Sequence, residues 1–163
     1  MDPTIGTEAL AGVDGPLGYA LVFLLAAIPV VEVLVVVPAG VALGMNPVLV
    51  ALSAFAGNLT TVLFVIAGSD RALAFVRRRV GDPDEDPSKR VRRAKRLWKR
   101  YGTPGLALAA PISTGAHLAA VLALSLGSGR RDVASWMTAS LLAWTAALAA
   151  ASFYGVESLG ALL

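Results

Sequence analysis

Ala26-Ala27-Ile28-Pro29-Val30-Val31-Glu32-Val33-Leu34-Val35-Val36-Val37-Pro38 decides the fold, because it breaks an apolar run, residues 17–44, that is long enough to cross a bilayer. Each proline removes a backbone N–H and disturbs the helix around it. Glu32 is the single charge inside any hydrophobic stretch of the chain. A carboxylate at the centre of a membrane helix costs about 2.5–3.5 kcal/mol on insertion scales, so such residues face a cavity or a partner. Working outward, the run closes at Leu43-Gly44, turns at Met45-Asn46-Pro47, and gives way to an uninterrupted apolar run over 47–68.

The same order recurs. Leu108-Ala109-Ala110-Pro111-Ile112-Ser113-Thr114-Gly115 interrupts the apolar run 104–127, which closes at Leu126-Gly127 and is followed by a clean run over 133–154. A spanning helix needs about 20 apolar residues, and all four runs reach that length. The composition agrees: 56% hydrophobic, 15% charged and a mean hydropathy of +0.71, against about a quarter charged in soluble domains. The fold class expected is all-α integral membrane: a single membrane domain over 1–163, with a first repeat at 17–68, a basic connector at 69–103 and a second repeat at 104–155.

Charge placement selects a topology. All 14 Lys and Arg lie between Arg71 and Arg131. If all four runs crossed fully, the basic connector and the Arg130-Arg131 link would lie on opposite sides, against the positive-inside rule. If each broken run is instead a re-entrant hairpin, every cation is cytoplasmic. Hairpin arms of 12–14 residues reach roughly 18–21 Å at 1.5 Å per residue. The hairpins would then enter from opposite faces, an inverted repeat of the kind found in secondary transporters. Four full spans with two kinks is the alternative. A cell-membrane, multi-pass location follows from either. No Lys or Arg precedes residue 71, so the first run is expected to be retained rather than cleaved as a signal.

Within the connector, the acidic stretch Asp82–Asp86 precedes Ser88, a helix N-cap candidate, and a helix over 89–101. Val91, Ala94, Leu97, Trp98 and Tyr101 share one face of that helix, and cations fill the rest. That is the pattern of an interfacial amphipathic helix. Lys89, Arg92, Arg93 and Trp98 are its candidate lipid-surface residues, with anionic headgroups as the partner. Gly102-Thr103-Pro104-Gly105 ends it. Net charge +3 is explained by this membrane surface rather than by nucleic acid.

Glu32 and His117 are the candidate proton or cation carriers. Pro29, Pro38, Asn58, Pro111, Ser113, Thr114 and Gly115 are candidates for the substrate cavity, since non-helical backbone at depth must be buried or line a cavity. Thr60 and Thr61, with Asn58, also suit hydrogen bonding between helices, and Gly40/Gly44 suits packing. Ala139, Ala143, Ala146 and Ala150 form a small-residue stripe fit for close helix approach. There are no cysteines and one histidine, which leaves no donor set for zinc. No nucleotide loop or nucleophile–base pair is present, so neither an enzyme nor a cofactor is expected. The reading leaves room for self-association.

The motifs resemble the small multidrug export protein family, distantly related to the DedA (VTT-domain) membrane proteins. The resemblance rests on Pro29-Val30-Val31-Glu32 with Pro38 and Gly44 following, on Gly57-Asn58, and on Tyr101-Gly102 ahead of Pro111-Ile112-Ser113-Thr114-Gly115-Ala116. It covers about residues 20–155. Leu34 and His117 depart from it, where members often carry an arginine and an aromatic. It implies efflux of small molecules, here expected to be proton-linked; the DedA side implies translocation or scrambling of anionic lipids. A non-transporting membrane scaffold is the third alternative.

Overall fold

Proline and glycine set the helix boundaries, and the apolar runs between them are helical. The structure is a computed structural model that describes residues 15–28, 33–68 and 89–160. The described residues form six helices and no strand: α1 (Pro16–Ala27), α2 (Val33–Ala42), α3 (Pro47–Ala67), α4 (Lys89–Ser113), α5 (Ala116–Ser125) and α6 (Arg130–Gly160).

Among the described residues, two helices are long and apolar enough to cross a membrane: α3, with 21 residues and a mean hydropathy of 2.1, and α6 over Arg130–Gly155, with 26 residues and 1.4. At 1.5 Å per residue the shorter spans about 32 Å, matching a hydrocarbon core of about 30 Å. Only 33% of each apolar window is buried within the protein, so neither is the core helix of a soluble domain. The exposed side chains are themselves apolar: Phe64 is 78% exposed, and Leu17 and Ile112 are each 70% exposed. Large apolar side chains exposed along membrane-length helices suit lipid.

The chain divides into two compact units. The first takes in the described residues up to Asn58 together with those from Leu142 on. Its core is Val22 and Ala26 of α1, Val33, Val36, Val37 and Val41 of α2, Val50 and Ala54 of α3, and Ala149 of α6. Small and β-branched side chains let backbones approach closely, which is how helices associate in lipid. At Gly57 a Cβ would collide with the carbonyl oxygen of Phe23, so α1 and α3 touch through backbone. At Gly40 a Cβ would come within 2.9 Å of Val50, which assigns Gly40 to packing. The Asn46 N–H donates to the Tyr19 hydroxyl at 3.2 Å, tying the turn to α1. Asn46 Oδ1 in turn accepts from the N–H groups of Val48 (3.0 Å) and Leu49 (3.2 Å), capping α3.

The second unit runs from Leu59 to Leu141. Here α4 is two helices joined at Gly102, whose φ of 65° lies in the left-handed region that glycine adopts without penalty. The break expected at 102–105 is therefore present. The helix then continues through Pro111 and stops at Thr114–Gly115, later than the proline alone suggests. Pro111 can supply no N–H to the carbonyl of Ala107, one turn back, and that oxygen accepts from Ser140 Oγ at 2.8 Å instead. This side-chain bond lets the proline sit inside the helix. Pro38 also lies inside a helix, α2.

The two broken segments end in the same way. The Gly44 N–H donates to the Val41 carbonyl at 3.0 Å and the Met45 N–H to that of Gly40 at 3.2 Å. The Gly127 N–H donates to the Leu124 carbonyl at 3.1 Å and the Ser128 N–H to that of Ala123 at 3.0 Å. Both are Schellman caps with glycine at the left-handed position, at φ of 85° and 96°. In each half the next helix begins three residues after the cap glycine, at Pro47 and at Arg130.

The alanine stripe expected to pack is a correction. Ala139, Ala143, Ala146 and Ala150 are all exposed. The buried side chains of α6 are Val133, Met137, Ser140, Leu141, Thr145 and Ala149.

Candidate functional site

The second break gathers five of the candidate residues into one hinge. Pro111 is buried in the last turns of α4. Ser113 Oγ donates to the Ala109 carbonyl at 2.7 Å. The N–H groups of Thr114 and Gly115 both close on the Ala110 carbonyl, at 3.1 and 2.7 Å. Gly115, with φ of 89° and ψ of 146°, then turns the chain into α5 as its N-cap and supplies no side-chain cap. His117 is the second residue of α5, in the first turn, where N–H groups lack intrahelical partners.

His117 is 7% exposed, and neither ring nitrogen has a hydrogen-bond partner among the described residues. Asn58, in the first unit, is fully buried, and both atoms of its amide are also unpaired among the described residues. A buried polar group without a partner costs about 1–3 kcal/mol, so each such group calls for a reason. Expecting Asn58 to hydrogen-bond between helices is therefore a further correction. Thr60 and Thr61, near it in sequence, do have partners. Pro38 is half-buried. Pro29 and Glu32 lie outside the described residues. No group of three or more metal-ligating side chains occurs among the described residues.

The lipid-surface candidates divide. Lys89, Arg92 and Arg93 are exposed, as a cationic surface requires. Trp98 is half-buried, and its indole N–H donates to Ser128 Oγ at 2.9 Å, while Thr103 Oγ1 pairs with the same hydroxyl at 2.7 Å. With Ala94 fully buried, part of this apolar face packs on protein.

One feature escaped the sequence. The first unit holds an apolar cavity of about 520 Å³. On the α3 side it is lined by Val48, Ala51, Leu52 and Phe55, and on the α6 side by Leu142, Ala146, Ala149, Ala150 and Phe153. Asn46, Thr145 and Tyr154 are its polar members. Phe153 and Tyr154 meet edge to face, with ring centroids 5.6 Å apart. Its residues are ordinary membrane-helix residues, and only their three-dimensional placement distinguishes them.

These features define a small helical protein with membrane-length helices, a proline–glycine hinge inside an apolar segment, and a buried histidine in the turn that follows the hinge. The chain belongs to the family described as "putative small multi-drug export protein", which it matches over residues 32–147. That family is one of export proteins rather than of enzymes. Among curated proteins and among solved structures, none matches the chain at a significant level, and the DedA side of the resemblance finds no support there.

Proposed function

We propose that the protein is a proton-linked exporter of lipophilic small molecules in the cell membrane. Family membership supports export. The observation that carries the proton linkage is His117: a buried imidazole with both nitrogens unpaired, next to a glycine hinge. A group that takes up and releases a proton during transport must be free of fixed partners at some stage of the cycle. Histidine is the side chain whose ordinary pKa suits that exchange. Glu32 is the second carrier, on the sequence ground that it is the lone charge of the apolar segments.

The two broken segments act as re-entrant hairpins entering from opposite faces, with the basic connector in the cytoplasm. The matching Schellman caps and the equal spacing to the next helix support a repeat, and the confinement of all Lys and Arg to residues 71–131 supports its inversion. The lengths of α3 and α6 suit full crossings, whereas α1, α2 and α5, at 12, 10 and 10 residues, are too short to cross alone.

The α3/α6 cavity supports the substrate class. Its volume of about 520 Å³ falls in the range of roughly 300–1,000 Å³ that small-molecule sites occupy. An apolar lining with three aromatic rings, those of Phe55, Phe153 and Tyr154, suits a flat lipophilic molecule, and ring faces also attract a cation. The test is transport of ethidium by purified protein in liposomes under an imposed pH gradient. Wild-type protein should move the dye faster than protein-free liposomes, and Ala146→Phe, which fills the groove, should return it to that background. Wild-type movement at the background rate would refute the export function. Full activity in Ala146→Phe would remove the cavity from it.

A further inference from the structure

A second pocket lies within the second unit, on the basic helix. It has a volume of about 330 Å³ and is lined by Arg93, Arg96, Leu97, Arg100, Tyr101 and Ser113. The three arginines stand at i, i+3 and i+7, one stripe of a helix, and Ser113 comes from the other side of the Gly102 kink. All three guanidinium-bearing side chains are exposed, and none makes an ion pair among the described residues. Like charges at this spacing destabilise a helix, so three of them lining one pocket favour an anion there. The framework around them is fixed. Trp98 and Thr103 pin the kink region to Ser128, and the Arg100 guanidinium lies 5.3 Å from the centroid of the Tyr101 ring. The Ser113 hydroxyl already donates to Ala109, so the arginines carry the binding.

We infer that the Arg93/Arg96/Arg100 pocket binds a phosphate-type oxyanion, free in solution or as the headgroup of an anionic lipid. The planar guanidinium fork matches phosphate oxygens two at a time, which a lysine ammonium cannot do. Diffuse attraction of the whole basic helix to a charged surface is a different situation, because there any cation contributes equally. The pocket stands independently of proton coupling and of the α3/α6 cavity.

The experiment uses full-length protein in nanodiscs. In discs of neutral phosphatidylcholine, inorganic phosphate is titrated calorimetrically; in discs containing phosphatidic acid, the lipid retained by the protein is measured by mass spectrometry. Three proteins are compared: wild type, Arg93→Gln/Arg96→Gln/Arg100→Gln, and Lys99→Gln/Arg130→Gln/Arg131→Gln, which removes as many charges outside the pocket. The pocket variant should bind about ten-fold more weakly or worse, given that charge-assisted bidentate contacts are the strong ones. The control should stay within about two-fold, the size expected of screened surface charge. Arg96→Lys, which keeps the charge and disturbs folding least, should also weaken binding. Saturable binding of inorganic phosphate in neutral discs identifies the free ion as a ligand. Saturable binding of phosphatidic acid alone identifies a lipid headgroup. Equal loss in the two triple variants, or no saturable binding in either type of disc, overturns the inference.

Discussion

Pro111 and Ser140 form a pair whose coupling can be measured. Pro111 leaves the Ala107 carbonyl without its helical donor, and Ser140 Oγ supplies one at 2.8 Å. Ala107 is fully buried and Ser140 is 1% exposed, so no solvent replaces the bond. Removing the hydroxyl leaves a buried acceptor unpaired, about 1–3 kcal/mol by the general scale. Hydrogen bonds between membrane helices average nearer 0.6 kcal/mol in measured cycles, up to about 1.7. Ser140→Ala should therefore cost about 1 kcal/mol. Pro111→Ala restores an N–H that can reach the same carbonyl, so in that background Ser140→Ala should cost close to nothing. The assay is reversible unfolding in mixed micelles with increasing dodecyl sulfate, followed by tryptophan fluorescence, on the four members of the cycle. Equal costs of Ser140→Ala in both backgrounds would show that the Ala107 carbonyl does not depend on this hydroxyl, and the account of how the helix tolerates Pro111 would fail.

His117→Leu removes two unpaired buried nitrogens, so it should raise stability by about 1 kcal/mol while abolishing gradient-driven transport; unfolding midpoints and liposome flux read the two effects separately. Gly57→Leu sets a side chain against the Phe23 carbonyl and should destabilise by about 1–3 kcal/mol, visible as a lower unfolding midpoint. Single cysteines at Gly12 and Ser158 should react with an impermeant thiol reagent in intact cells, and cysteines at Gly81 and Ser128 should not; strong labelling at Ser128 favours four full spans.

What the sequence revealed and what it hid have one physical cause. Charge, proline and glycine contrast sharply with an apolar background, so the kink at Gly102, the hinge ending at Gly115 and the Leu-Gly closures were all legible. The buried face of α6 was not. In a soluble helix polarity separates core from surface, but lipid and protein interior are equally apolar, so alanine at 139, 143, 146 and 150 carried no sign of which way it faced. The α3/α6 cavity was hidden for the same reason. The arginine pocket was read as part of a uniform cationic face, because the kink that brings Ser113 to Arg93 has no signature in helical periodicity. His117 and Asn58 were legible as polar residues in apolar runs, but their lack of any hydrogen-bond partner became visible only in three dimensions.

The central claim is proton-linked transport with His117 and Glu32 as its two carriers, and it is tested most directly by the proton movement that accompanies substrate. Wild type and Glu32→Gln are reconstituted at matched density in liposomes containing a pH-sensitive dye, and an ethidium gradient is imposed without a pH gradient. Wild type should produce a substrate-driven change in internal pH. Glu32→Gln, which keeps the side-chain shape and removes the exchangeable proton, should insert normally and produce none. If wild type moves no protons with substrate, proton-linked transport is wrong; if both proteins move them at the same rate, Glu32 carries no proton and the two-carrier mechanism fails.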